Sequence, residues 1–212
     1  MPPAGPTTRP PQVLHLGVLA SHGGSNFQAI LDAIGAGTLP ARAGVVISNN
    51  SGAGALERAR RAGVPALHLS GATHPDPAAL DEAMAAALRQ HGVELVVCAG
   101  YMRRVGARVL ATFPRRVVNI HPALLPRFGG RGMHGIHVHE AVLAAGVRET
   151  GVTVHLVDEI YDHGPILAQA RVPVCEGDTP EGLQARVLER EHSLYPETLR
   201  RIACEEIDLD AM

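Results

Sequence analysis

Asn119 and His121, in the stretch "VVNIHPALLP" at positions 117 to 126, are residue types that can stabilise and move charge. An amide N–H can donate to an oxygen that gathers negative charge, and an imidazole near neutrality both gives and takes a proton. Side chains alternate across a strand, so Val117, Asn119 and His121 share one side while Val118 and Ile120 take the other. The amide and the ring therefore point together. In an open α/β sheet, ligands bind outside the carboxyl ends of the strands, where this pair falls just before Pro122. A lone His at a strand end more often serves structure than chemistry, so the pair needs partners before it counts as a site.

Two other stretches could supply partners. In "VDEIYDHGPI" an acidic tight turn, Asp158 to Gly164, joins two strands. Asp162 is a carboxylate there, although Asp and Gly are ordinary turn residues and an Asx-type turn is the plainer reading. In "SHGGSN", Ser21 to Asn26, small residues meet the start of a helix, where backbone N–H groups and the helix dipole favour a phosphate. The plainer reading is that Ser25 caps the helix, with Gln28 completing a capping box, and that the glycines only turn the chain. The stretch has neither the spaced glycines of a dinucleotide fingerprint nor the Lys of a Walker A loop, which points to the phosphate of a small molecule.

The elements that must position these residues read as alternating strands and helices. "VLHLGVLAS", "AGVVISNN", "PALHLS", "ELVVCAG", "VVNIH", "GVTVHLVD" and "ILAQARVPV" read as strands. Helical stripes fall on Phe27, Ile30, Leu31 and Ile34, on Leu56 and Ala59, and on Leu80, Met84, Ala87 and Leu88, with a long helix from about Thr179 to Ile202. The expected fold is α/β: a single Rossmann-like domain with a mostly parallel twisted sheet, flanking helices and a C-terminal antiparallel portion. The expected domain covers 13–203, between a disordered tail at 1–12 and a C-terminal tail at 204–212.

Composition excludes several classes. The 212 residues can bury a sizeable core, and the net charge of −2, from 19 basic and 21 acidic residues without a basic block, argues against nucleic acid. Cys98, Cys175 and Cys204 are far apart with no metal-type spacing, which fits a reducing cytoplasm. The proline-rich opening "MPPAGPTTRPPQ" lacks the apolar core of a signal peptide, and no segment approaches the roughly 18 apolar residues of a membrane span.

Taken together, "SHGGSN", "SNNSGAGALERARRAGVP", "VVCAGYMRRV", "NIHPALLPRF", "TGVTVHLVDEIYDHGPILAQ" and "EREHSLYPE" resemble the phosphoribosylglycinamide formyltransferases, in the family's order from Val13 to Ile202. The resemblance implies formyl transfer from 10-formyltetrahydrofolate to the amine of glycinamide ribonucleotide, with no metal, in a monomer or homodimer. It implies catalysis by Asn119, His121 and Asp162. It places the ribonucleotide phosphate on Gly24, Ser25 and Asn26, its ribose on Glu191, and folate on Met102, Arg103, Arg104 and Val105, with Asn119 also facing folate. In that chemistry Asn119 donates to the developing oxyanion, and a protonated His121, its pKa raised by Asp162, stabilises the same oxygen and passes protons.

The chain departs from the family in two places. Pro77 stands where the family often has an Arg that meets the cofactor, and "RFGGRGMHGIHVHEAVL" is longer than usual, which leaves His137 at most a supporting role. The resemblance also implies a cis peptide between Leu125 and Pro126. Methionyl-tRNA formyltransferase would add a C-terminal domain and a basic surface, and formyltetrahydrofolate hydrolase an N-terminal regulatory domain; neither is expected here. A sugar-amine formyltransferase, a formyltetrahydrofolate hydrolase, or a folate or phosphate binder without catalysis remains as an alternative.

Overall fold

The computed structural model describes residues 13–212, so the expected tail at 1–12 lies outside the described residues. In chain order the elements are β1 (Leu14–Ala20), α1 (Ser25–Gly35), β2 (Ala41–Ser48), α2 (Gly54–Arg61), β3 (Ala66–His68), α3 (Pro77–Gln90), β4 (Leu95–Cys98), α4 (Ala107–Thr112), β5 (Val117–His121), α5 (Ile136–Ala144), β6 (Glu149–Leu156), β7 (Ile166–Pro173) and α6 (Pro180–Ala203). The strands form one seven-stranded sheet in the order β3-β2-β1-β4-β5-β6-β7. Pairing is parallel from β3 through β5 and antiparallel from β5 through β7, which is the α/β arrangement expected.

The near-continuous apolar runs of β1 and β4 follow from burial on both faces of a parallel sheet. On one face, Phe27 and Ile30 of α1, Leu56 and Ala59 of α2, Val142 of α5 and Leu183, Val187 and Leu199 of α6 pack against Val18, Val97 and Val118. On the other, Met84, Ala85 and Leu88 of α3 and Val109 of α4 pack against Leu19, Val96 and Val117. Tyr195 of α6 is fully buried, with its hydroxyl 3.1 Å from the Cys98 carbonyl and 3.2 Å from that of Val118, so α6 is tied to the end of β4 and the first half of β5.

Caps set where the helices begin. Asp76 accepts the N–H groups of Ala78 and Ala79, and Thr179 accepts that of Gly182. Pro77 and Pro180 each follow their cap at the first helical position, where a missing N–H costs nothing. The sequence reading missed α4, which is only six residues long, and α5, which lies just beyond the glycine-rich stretch. After α6 the chain packs Ile207 and Leu209 into the core, and Arg115 Nε donates to the Leu209 carbonyl at 2.8 Å. The Leu125–Pro126 peptide is cis, as expected.

Candidate active site

The order of the strands reverses between β1 and β4, and the loops leaving their carboxyl ends frame a crevice. Its cavity has a volume of about 690 Å³ and is lined by Asn26, Met102, Arg103, Arg104, Val105, Asn119, His121, Asp162 and Glu191 among others. Every expected site residue except Gly24 and Ser25 thus faces one space. Ser25 borders a smaller hollow with Gln28, Asp32, Arg58 and His192.

Gly24 is the residue before α1, with φ +72°, and a Cβ there would lie 2.7 Å from the Ala55 Cβ. Its carbonyl accepts the Gln28 N–H at 2.9 Å, so Ser25 is the first helical residue rather than the cap. The expected Ser25–Gln28 capping box is therefore absent: α1 has no side-chain cap, and the Gln28 amide instead binds Asp32 and Arg58, each at 2.8 Å. A helix start without a side-chain cap leaves its dipole and first-turn donors to another acceptor. Beside it, Asn26 Nδ2 donates to Glu191 Oε2 at 2.6 Å, while Asn26 Oδ1 is buried without a partner among the described residues. Burial pushes the Glu191 carboxyl up to about 7, against the opposing pull of the Asn26 bond.

The paired strands β5 and β6 build the second part of the site. Their register sets Asn119 opposite His155 and His121 opposite Thr153. Thr153 Oγ1 donates to the Ala123 carbonyl at 2.7 Å and accepts the Leu125 N–H at 3.1 Å, so the chain can turn after β5 without pulling His121 out of line. His121 Nδ1 lies 3.5 Å from Asp162 Oδ2, and His155 Nε2 lies 3.5 Å from Asp162 Oδ1. Asn119 Nδ2 is 3.1 Å from His155 Nε2. Asn119, His121 and Asp162 converge as the family resemblance implied, and His155 sits between the first and the last.

The expected charge on His121 needs correction. Burial of the ring lowers its pKa by more than Asp162 and the Phe128 carbonyl raise it, and His155 adds to the lowering. His121 is thus held toward its neutral form in this state. Its Nε2 donates to the Phe128 carbonyl at 2.7 Å, which directs the Nδ1 lone pair at Asp162. Burial would raise the Asp162 carboxyl, but His155, His121 and the Gly130 N–H, which donates to Oδ2 at 2.9 Å, together hold it below its usual range. Phe128 and Asp162 both have left-handed backbones, at φ +56° and +54°, as sparsely populated conformations at functional sites often do.

The third wall is the loop from β4 to α4. Ser21, at the end of β1, accepts the Met102 N–H at 2.8 Å and donates to Asn49 Oδ1 at 2.5 Å, which fixes where the loop starts. Asp81 of α3 accepts the N–H groups of Arg108 at 2.7 Å and Val109 at 3.2 Å, which fixes where it ends. Met102, Ile160 and Tyr161 leave apolar surface exposed around the cavity, as a ring-bearing ligand would require. His137 is exposed and pairs with Glu140 at 2.9 Å rather than facing the cavity; His139 lines it instead, buried, with Nδ1 unpartnered among the described residues. His155, on β6, and Ser21, just after β1, were not singled out from the sequence. The antiparallel register of "VVNIH" with "GVTVHLVD" is the signal that could have found His155.

The fold is that of a formyl transferase: residues 14–199 match the model of the formyl transferase family, and the chain belongs to it. Among its relatives, phosphoribosylglycinamide formyltransferase of Bacillus subtilis is 36% identical over 87% of this chain and 92% of its own length. The chloroplastic phosphoribosylglycinamide formyltransferase of Arabidopsis thaliana is 43% identical over 92% of this chain and 67% of its own length. The crystal structure of glycinamide ribonucleotide transformylase 1 from Symbiobacterium toebii superposes with a TM-score of 0.85 at 49% identity, covering 90% of this chain and 88% of that one.

Proposed function

We infer that the chain transfers the formyl group of 10-formyltetrahydrofolate to the amine of 5-phosphoribosylglycinamide, giving formylglycinamide ribonucleotide and tetrahydrofolate in de novo purine biosynthesis. The observation that carries this reading is the meeting of Asn119, His121 and Asp162 in one cavity, within a chain that matches the formyl transferase family over residues 14–199. At one end of the cavity, α1 without a side-chain cap and Glu191 suit a phosphate and a ribose. At the other, the loop Met102 to Val105 and the exposed Ile160 and Tyr161 suit a folate ring system.

The amine attacks the formyl carbon and gives up a proton, and the formyl oxygen gathers negative charge in a tetrahedral intermediate; its collapse breaks the bond to the folate nitrogen, which takes up a proton and leaves as tetrahydrofolate. Asn119 donates to that oxygen, an interaction worth about 10²–10³ in rate. His121 reaches the same oxygen through Nε2–H by exchanging the Phe128 carbonyl for the substrate, while a proton gained at Nδ1 is held by Asp162. General acid–base help of this kind contributes roughly 10²–10⁴.

Incubating the purified protein with 10-formyltetrahydrofolate and glycinamide ribonucleotide should produce formylglycinamide ribonucleotide without added metal. Formate release in the absence of an amine would point to a hydrolase, and transfer only to a nucleotide-sugar amine would point to a sugar-amine enzyme. The three free cysteines agree with a reducing cytoplasm, and sedimentation separates a monomer from a homodimer.

A further inference from the structure

We propose that His155 is a positioning residue that fixes the orientation of the Asn119 amide, and that its Nε2 holds one amide N–H so the other remains for the formyl oxygen. The inference rests on the reading of Asn119 as the donor in formyl transfer. His155 is 2% exposed, and its Nδ1 lies 2.8 Å from the Leu156 carbonyl. A carbonyl only accepts, so Nδ1 carries a proton, and Nε2 turns its lone pair to the Asn119 amide N–H. Asn119 Nδ2 lies 3.1 Å from Nε2, and Asp162 Oδ1 is farther, at 3.5 Å.

Those two distances decide the arrangement. A lone pair at Nε2 attracts the amide NH₂ and would repel the amide oxygen, so the Asn119 side chain has one favoured flip. Without the ring, the oxygen and the nitrogen of the amide could exchange places, and the oxygen would then meet the developing negative charge. The antiparallel register that sets the two residues directly opposite keeps the contact independent of the loops, and Asn119 makes no other side-chain hydrogen bond among the described residues. His155 is thereby distinguished from His121, whose Nε2 contact is to a loop carbonyl that a substrate can replace.

The test compares His155→Gln, whose amide oxygen can reach about as far as Nε2, with His155→Asn, which is polar but too short. His155→Asn should lower kcat about 10–100-fold and leave both KM values within about threefold, and His155→Gln should recover most of the loss. Asn119→Ala should be no worse when combined with His155→Asn than alone, because residues that act as a unit are non-additive. Equal losses in His155→Gln and His155→Asn, a loss carried by KM, or additive losses in the double variant would overturn the positioning role. Full activity in Asn119→Ala would instead remove Asn119 as the donor, and with it the basis of the inference.

Discussion

Replacing Gly24 with alanine tests how the loop after β1 serves the ribonucleotide. At φ +72° a residue with a Cβ costs about 1–2 kcal/mol from backbone geometry alone. The added methyl would also lie 2.7 Å from the Ala55 Cβ and 2.8 Å from its Cα. Ala55 is fully buried and its N–H is held by the His22 carbonyl at 3.0 Å, so the loop yields rather than α2. Restoring ordinary contact requires a retreat of about 0.7 Å, and a misplacement approaching 1 Å in a binding site costs about 10²-fold. The KM for glycinamide ribonucleotide should rise about 10–100-fold. That for 10-formyltetrahydrofolate should stay within about twofold, because Met102 is held by Ser21 and not by Gly24.

Initial rates with each substrate varied in turn separate the two effects. Gly37→Ala is the control: its φ is +71° with nothing within 4 Å of an added Cβ, so it carries the backbone cost without the collision. Both variants should melt a few degrees lower, roughly 2–8 °C for 1–2 kcal/mol, but only Gly24→Ala should change the ribonucleotide KM. An equal rise in both KM values, or an unchanged ribonucleotide KM in Gly24→Ala, would refute the assignment of this loop to the phosphate.

Asp162→Asn keeps the shape of the turn and removes the charge beside His121, so kcat should fall about 10²-fold or more with little change in melting, and adding His121→Ala should cost far less than it does alone; full activity in either single variant returns Asp162 to a turn former. Glu191 is raised from 4.5 to about 7, so the ligand-free protein gains stability from its protonated form that is complete below about pH 4.5 and lost as pH rises through about 7. Denaturant titrations at pH 5 and pH 8 should differ by up to about 3 kcal/mol more in the parent than in Glu191→Gln, and equal pH dependence in the two would contradict the shift. If Glu191 accepts ribose hydroxyls, calorimetry should also show ribonucleotide binding tightening as pH rises through about 7, and a flat profile would remove it from the ribose site. Asp81→Ala leaves the Arg108 and Val109 N–H groups without their acceptor and frees the end of the folate loop, so the folate KM should rise several-fold with the ribonucleotide KM unchanged, the reverse of Gly24→Ala.

Local pattern made most of this fold legible. The strand "VVNIH" is bounded in the structure at the residues its apolar run suggested, and α6 begins one residue after Thr179 because the Thr hydroxyl caps it. Alternation alone put Asn119 and His121 on one side. Contacts distant in sequence were not legible: Asn26 meets Glu191 across 165 positions, and Ser21 meets Met102 across 81. The capping box failed for a local reason, since Ser25 and Gln28 have the right types and spacing, but a glycine that can take a left-handed backbone moved the helix start by one residue. The charge of His121 failed for a global one. A nearby carboxylate is visible in a motif, whereas the desolvation that outweighs it depends on everything packed around the ring.

That desolvation gives the site its resting state. In the ligand-free protein both nitrogens of His121 face oxygens, but only the Phe128 carbonyl accepts a hydrogen bond from the neutral ring, and the Asp162 carboxylate meets a lone pair. A proton arriving at Nδ1 turns that unfavourable contact into a charged hydrogen bond, which is stronger than the neutral bond at Nε2. The half-buried Asp162 is already held ionised by its neighbours, so it is ready to receive the imidazolium without titrating itself. His121 is therefore poised to gain its charge as the reaction generates a proton, and the left-handed turns at Phe128 and Asp162 hold the two acceptors against the ring until then.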